Sequence, residues 1–141
     1  MKTLYTAHAT STAGREGKAE TDDKALSLKL AKPGTSGGTN PEQLFACGYA
    51  ACFGGAVAAV AKKHGKDAAN VAVQADVSLN QDDNGFFISA VLNVSLPDIE
   101  KSEAEKIVAE AHQMCPYSKA TRGNIDVQLK VNSQPLAAKA A

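Results

Sequence analysis

Apolar and polar residues alternate in three separate blocks along the chain, and two stretches of helical spacing lie between them. In the first block, residues 4–12 (LYTAHATST) and 25–30 (ALSLKL), with Leu26, Leu28 and Leu30 on alternate positions, flank a turn at 13–17 (AGREG); this predicts a small antiparallel meander. Residues 32–39 (KPGTSGGT) read as loop. Asn40, Pro41 and Gln43 then form a helix start, with Asn as N-cap and Pro at the first helical position; the helix is expected to run to about Lys63 and stop at Gly65. Residues 71–81 alternate at Val71, Val73, Ala75, Val77 and Leu79, residues 82–85 (DDNG) carry an Asn-Gly turn signal, and 86–97 alternate again, which predicts a hairpin. Ser102 with Glu105 reads as a capping box. The helix it would open keeps Ala104, Ile107, Val108, Ala111 and Cys115 on the core side. Pro116 interrupts that helix and suits the start of a short one over 116–122, stopped at Gly123. Residues 125–132 (IDVQLKVN) predict a last strand, and 134–141 a frayed tail. Strands, helix, hairpin, helix, strand make one α+β domain.

Length and charge narrow the function classes. A chain of 141 residues buries a core without disulfide staples. Fifteen basic and fifteen acidic residues cancel and neither sign forms a block, so no nucleic-acid or anionic-membrane partner is expected. The first twenty residues hold no continuous apolar core, so the expected compartment is the cytoplasm. Residues 44–61 carry no charge, which is long enough for a membrane span, but alanine and glycine contribute little to insertion and a buried helix is the better reading. Gly48, Cys52, Gly55 and Ala59 share one face of that helix. Small residues there allow another backbone to approach, which predicts a homodimer with this helix at or near the interface; packing beneath its own sheet is the alternative.

The chemistry centres on three cysteines, Cys47, Cys52 and Cys115. Cys47 and Cys52 lie five residues apart on one helix, about 8 to 9 Å between Cα atoms, beyond the reach of a disulfide. A sulfur partner for Cys52 within its own chain, if there is one, would be Cys115; all three cysteines also suit a role as small buried hydrophobes. Cys115 stands just before a proline-started helix, where the dipole favours thiolate. His8 reads as a strand surface residue, His64 as a helix C-terminal one, and His112 as a helix-end residue that could only support Cys115. A zinc site from Cys52, Cys115 and His112 lacks the usual paired short spacing, and no metal or cofactor is expected.

Two segments, NPEQLFACGYAACF (40–53) and AHQMCPYSKATRGNI (111–125), resemble the signature segments of organic hydroperoxide resistance proteins, Ohr, in the Ohr/OsmC family. The resemblance is ungapped within each segment, and the intervening elements fit, so it covers nearly the whole chain. It implies an intertwined α+β homodimer, with antiparallel sheets around long central helices and two active sites at the subunit interface. It also implies a thiol-dependent peroxidase for organic hydroperoxides, including fatty-acid hydroperoxides. By motif, Cys52 matches the peroxidatic cysteine, Cys115 the resolving one, Glu42 the motif glutamate and Arg15, in AGRE, the active-site arginine. The reductant implied is an external dithiol, a lipoylated protein or dihydrolipoamide. Cys47 departs from the motif, where a small residue without sulfur is more usual.

The reaction itself sets requirements. A thiolate attacks ROOH, the alcohol leaves, and the resulting sulfenic acid condenses with a second thiol, releasing water. An unassisted cysteine has a pKa of about 8.5 and burial raises it, so a cation must offset that. Arg15 suits the task because its guanidinium stays charged when desolvated, with Glu42 holding it in a bidentate pair. Without the resemblance, Arg15 reads as a solvated hairpin residue and Glu42 as a helix N-terminal acid. Glu42 lies ten residues before Cys52, about 15 Å along the helix, so either Arg15 spans the gap or both reach the cysteine from the other subunit. Phe45, Phe53 and Tyr117 could wall an apolar substrate pocket or be plain core aromatics. The rival readings are an OsmC-branch peroxidase, a non-catalytic lipid-binding protein, and a thiol–disulfide exchange protein that lacks its usual CxxC.

Overall fold

A computed structural model describes residues 1–136, and the chain falls into two compact units, Met1–Leu44 and a second from Phe45 onward. In the first unit, β1 (Ala9–Thr12), β2 (Lys18–Thr21) and β3 (Ser27–Lys29) pair in antiparallel order. The meander is as expected in kind, but its first strand starts at Ala9, leaving Leu4 and Tyr5 exposed, and β2 is an element the alternation does not reveal. A 3₁₀ turn, Gly14–Glu16, joins β1 to β2. Gly17 closes it, because any side chain there would lie within 1.8 Å of the Thr12 carbonyl oxygen.

Helix α1 (Pro41–Lys63) starts and stops as its sequence directs. The Asn40 side chain accepts from the Gln43 N–H at 2.9 Å, the N-cap bond. At the other end Gly65, at φ 71°, ends it in a Schellman motif, with Lys66 N–H donating to Ala61 O and Gly65 N–H to Lys62 O. By length and composition α1 is apolar enough to cross a membrane, yet Tyr49, Phe53, Ala56, Val57, Val60 and Ala61 are buried in the protein core.

In the second unit, β4 (Ala72–Asp82) and β5 (Gly85–Ser95) form the expected hairpin, with Asp83 and Asn84 as the two loop residues. Val73, Ala75 and Val77 of β4 stand opposite Val94, Leu92 and Ala90 of β5, so one face is apolar throughout. Helix α2 (Lys101–Met114) is capped by Glu100, whose carboxylate accepts from the Ser102 and Glu103 N–H groups. The Ser102–Glu105 capping box is therefore corrected: the helix opens at Lys101 with Glu100 as its N-cap, so Ser102 lies inside the first turn and its hydroxyl donates to the Glu100 carboxylate. Helix α3 (Pro116–Thr121) follows, then β6 (Val127–Val131) and β7 (Gln134–Pro135). β7 pairs with β6 and Leu136 packs against the core, so the expected frayed tail is corrected over 134–136, and its remainder lies outside the described residues.

The sheet order is β4-β5-β6-β7, antiparallel except that β6 runs parallel to β5. Parallel neighbours need a long crossover, and the segment holding α2 and α3 is that crossover. The core is the apolar face of this sheet closed by α1 and α2. Phe53, Leu92, Ile107 and Leu129 are almost completely buried, each worth about 1.5–3 kcal/mol in transfer from water.

Candidate active site

Two groups of side chains carry the chemistry, one in each unit. In the first, Arg15 projects from the 3₁₀ turn and Glu42 from the opening turn of α1. Arg15 Nη1 donates to Glu42 Oε2 at 3.0 Å and Nη2 to Oε1 at 2.7 Å, a bidentate pair. The guanidinium holds the Glu42 carboxyl below the usual carboxylate range against the opposing effect of burial, and the carboxylate raises Arg15 in return. The pair is fully charged at neutral pH. Glu42 is largely covered while Arg15 is half exposed.

In the second unit, Cys52 faces inward from α1 and Cys115 sits at the corner where α2 ends and α3 begins. Cys115 caps both helices: its N–H donates to Ala111 O and its carbonyl accepts from Lys119 N–H. Pro116 is what makes the corner, since it has no N–H to continue α2 but suits the first position of α3. The Cys115 thiol is wholly buried and donates to Cys52 Sγ at 3.6 Å, with no disulfide between the two. Cys47 is exposed on α1. Burial pushes the Cys52 thiol up; the Tyr117 N–H works against this, while the Cys115 thiol, a second potential negative charge, adds to it.

Aromatic residues surround the pair. Phe45 and Tyr117 rings lie 6.0 Å apart and both keep exposed or half-buried surface, whereas Phe53 is completely buried, between Tyr49 and His112. Phe53 is thus a core aromatic, and a wall facing solvent falls to Phe45 and Tyr117. Gly48 lies under the Tyr117 ring, where an added Cβ would come within 2.8 Å of the tyrosine oxygen. Gly48 therefore accommodates Tyr117 of its own chain, while Gly55 opens onto free space.

Beside the thiols lies a buried polar group that sequence reasoning missed: Tyr49, Ser118 and Thr121, joined by His112. The signal within reach was the spacing, since Tyr49 precedes Cys52, and His112 precedes Cys115, by one helical turn. His112 Nδ1 lies 2.9 Å from Ser118 Oγ, and no His, Cys, Asp or Glu cluster among the described residues has metal-site geometry. His8 lies just outside β1, and His64 lies one residue past α1, between Glu103 and Glu110.

Comparison with known proteins shows the family. The profile of the OsmC-like protein family matches residues 34–130. The chain is 52% identical over 134 residues to an organic hydroperoxide resistance protein of Xanthomonas axonopodis pv. citri, covering 91% of this chain and 94% of that one. It is 45% identical to OhrB of Bacillus subtilis over 134 residues, 91% of this chain and 98% of the relative. The crystal structure of that OhrB superposes with a TM-score of 0.88 at 43% identity, over 92% of this chain and all of the other. An organic hydroperoxide resistance protein from Elizabethkingia anophelis, bearing a bound thiocyanate, gives 0.83 at 42%, over 93% and 98% of the two chains. The chain therefore belongs to the OsmC-like family, in its organic hydroperoxide resistance branch.

Proposed function

We propose that this protein serves in organic hydroperoxide resistance as a thiol-dependent peroxidase. The observation that carries the reading is the 3.6 Å approach of Cys115 Sγ to Cys52 Sγ, made by two cysteines on different elements and sixty-three residues apart. The Cys52 thiolate attacks one peroxide oxygen of ROOH; the O–O bond breaks, the alkoxide takes a proton and leaves as ROH, and Cys52 becomes a sulfenic acid. Cys115 then attacks that sulfur, forming a disulfide and releasing water.

Burial raises the Cys52 thiol, so the first step needs a positive charge. Arg15 supplies it in this proposal, with Glu42 holding the guanidinium in a fixed orientation. Phe45 and Tyr117 favour alkyl and acyl hydroperoxides over hydrogen peroxide by lining an apolar approach. A dithiol of the lipoyl type, on a lipoylated protein or as dihydrolipoamide, reopens the disulfide in the cytoplasm. The working unit is a homodimer, a reading supported by the exposed Gly55 and Ala59 of α1 and by Phe86, 72% exposed at the hairpin tip. A monomer in analytical ultracentrifugation would remove that part.

The test is intact-mass and peptide mapping of reduced protein given one equivalent of cumene hydroperoxide, with hydrogen peroxide in parallel. A Cys52–Cys115 disulfide that forms faster with the organic peroxide, and is absent in Cys52→Ser, is expected. Thiols that stay reduced, or oxidation confined to Cys47, would sink the proposal.

A further inference from the structure

We propose that a one-way chain of hydrogen bonds, from His112 through Ser118, Tyr49 and Thr121 to a backbone carbonyl, holds Cys115 within reach of Cys52 and so decides the fate of the Cys52 sulfenic acid. The second half of this statement rests on the peroxidase reading above; the first stands on geometry alone.

Counting protons gives the chain its direction. Thr121 Oγ1 lies 3.1 Å from the Ser118 carbonyl, which can only accept, so the threonine hydroxyl spends its single hydrogen there. Thr121 must then accept from Tyr49 Oη, 3.1 Å away. Tyr49, its own hydrogen used, accepts from Ser118 Oγ at 2.9 Å. Ser118 in turn accepts from His112 Nδ1, also at 2.9 Å, so His112 carries a proton on Nδ1. Each donor has one acceptor, and the run ends on the carbonyl that also accepts the N–H of Arg122, the residue that caps α3 at its C-terminus. All four side chains are buried, Tyr49 and Ser118 completely, so each bond replaces water that cannot enter.

The members straddle the thiols. Tyr49 stands three residues before Cys52, His112 three before Cys115 and Ser118 three after it. Ser118 thus ties α3 to α2 through His112 and to α1 through Tyr49, and the corner carrying Cys115 is pinned to the helix carrying Cys52. Arg122 Nη2 adds a bond to the His112 carbonyl at 2.5 Å. Closure of a disulfide requires the sulfurs to approach to about 2.05 Å, a short step from 3.6 Å only while the corner stays in place. Two reactions then compete for one intermediate. In the first, Cys52–SOH and Cys115–SH give the disulfide and water. In the second, Cys52–SOH and another ROOH give Cys52–SO₂H and ROH. Tyr49, Ser118, His112 and Thr121 are positioning residues in this scheme: none of them touches the peroxide.

The test uses Tyr49→Phe, which keeps the ring and removes one hydroxyl. With cumene hydroperoxide, loss of the Cys52 thiol should match wild type within about twofold, while disulfide closure slows about five- to tenfold, a part of the net worth of the two hydrogen bonds removed. At tenfold excess peroxide the sulfinic share of Cys52 should rise accordingly. Thr121→Val should behave likewise and Thr121→Ser, which restores the hydroxyl, should recover closure; this pair decides the matter if Tyr49→Phe does not fold. Closure driven by diamide, which involves no peroxide, is measured on the same variants. Wild type inert to hydroperoxide would remove the peroxidase reading, and the diamide rates would still judge the chain. Folded variants that close as fast as wild type overturn the proposal, as does a nitrogen-15 spectrum showing His112 protonated at Nε2 alone.

Discussion

The two chemical groups of this protein are built on opposite plans. Arg15 and Glu42 are both charged, joined by two parallel bonds, and the arginine half faces solvent. Cys52 and Cys115 have no charged partner of this kind, one of them is wholly buried, and their neighbours are hydroxyls, rings and backbone groups. The first group supplies charge without a nucleophile, and the second a nucleophile whose surroundings suppress its ionisation. The contrast teaches that positioning and activation are separate properties here. On the proposed reading, the hydroxyl network holds the two sulfurs in line, and ionising one of them calls for a cation from another source.

That division is open to attack by mutation. The largest effect is expected from Arg15→Met. If the arginine activates the thiol, Cys52 oxidation by cumene hydroperoxide at pH 7 falls about ten- to a hundredfold, and the rate profile moves to higher pH, since a thiol without its cation ionises later. Stopped-flow rates between pH 6 and 10 check this, and an unchanged profile would mean that the thiol site activates itself. Cys115→Ser probes the other side of the contrast. The first oxidation should persist within about threefold, but no disulfide forms and mass spectra show Cys52 advancing to sulfinic acid under repeated peroxide additions.

The smallest effect concerns a third cluster, which mixes both plans. His64 Nδ1 and Nε2 meet Glu103 and Glu110 at 2.9 and 2.8 Å, and the two carboxylates raise the imidazole. A raised group stabilises the fold fully below its unfolded pKa and loses that contribution as pH rises through the folded value. Glu110, held low chiefly by Lys63 and His64, works in the reverse sense and loses its contribution as pH falls. His64→Gln should therefore lower the melting temperature by about a degree or two near pH 6 and by less at pH 9, because exposed pairs are weak. An equal change at both values would exclude an ionic role.

What the sequence revealed follows from the range of each interaction. The Asn40 cap, the Gly65 stop, the hairpin turn and the Pro116 corner are decided by neighbours within four residues, and each stands where the residues direct it. β2 was invisible because KAET has no apolar alternation; it exists as the middle partner of two other strands. Glu100 is the N-cap in place of Ser102 because the helix opens two residues earlier than the capping box implies, and a long carboxylate side chain is not a residue type that marks a cap in sequence. In the site, the cysteines and the Arg15–Glu42 pair were marked by motif. The Tyr49–Ser118 bond was not, because its partners lie sixty-nine residues apart and every member passes for ordinary core or turn.

The long interval between the two sulfurs has a consequence for stability. A bond across sixty-three residues would close a large loop in the unfolded chain and remove about 4 kcal/mol of its conformational freedom by the loop-entropy account. The same free energy acts in both directions: a fold that gains stability from the bond also resists its reduction, by about 90 mV relative to an unstrained, unstructured pair. If the proposed peroxidase cycle operates, each turnover would swing the protein between a looser reduced form and a tighter oxidised one, its melting temperature would report its redox state, and a reductant would have to undo a gain made by the entire fold.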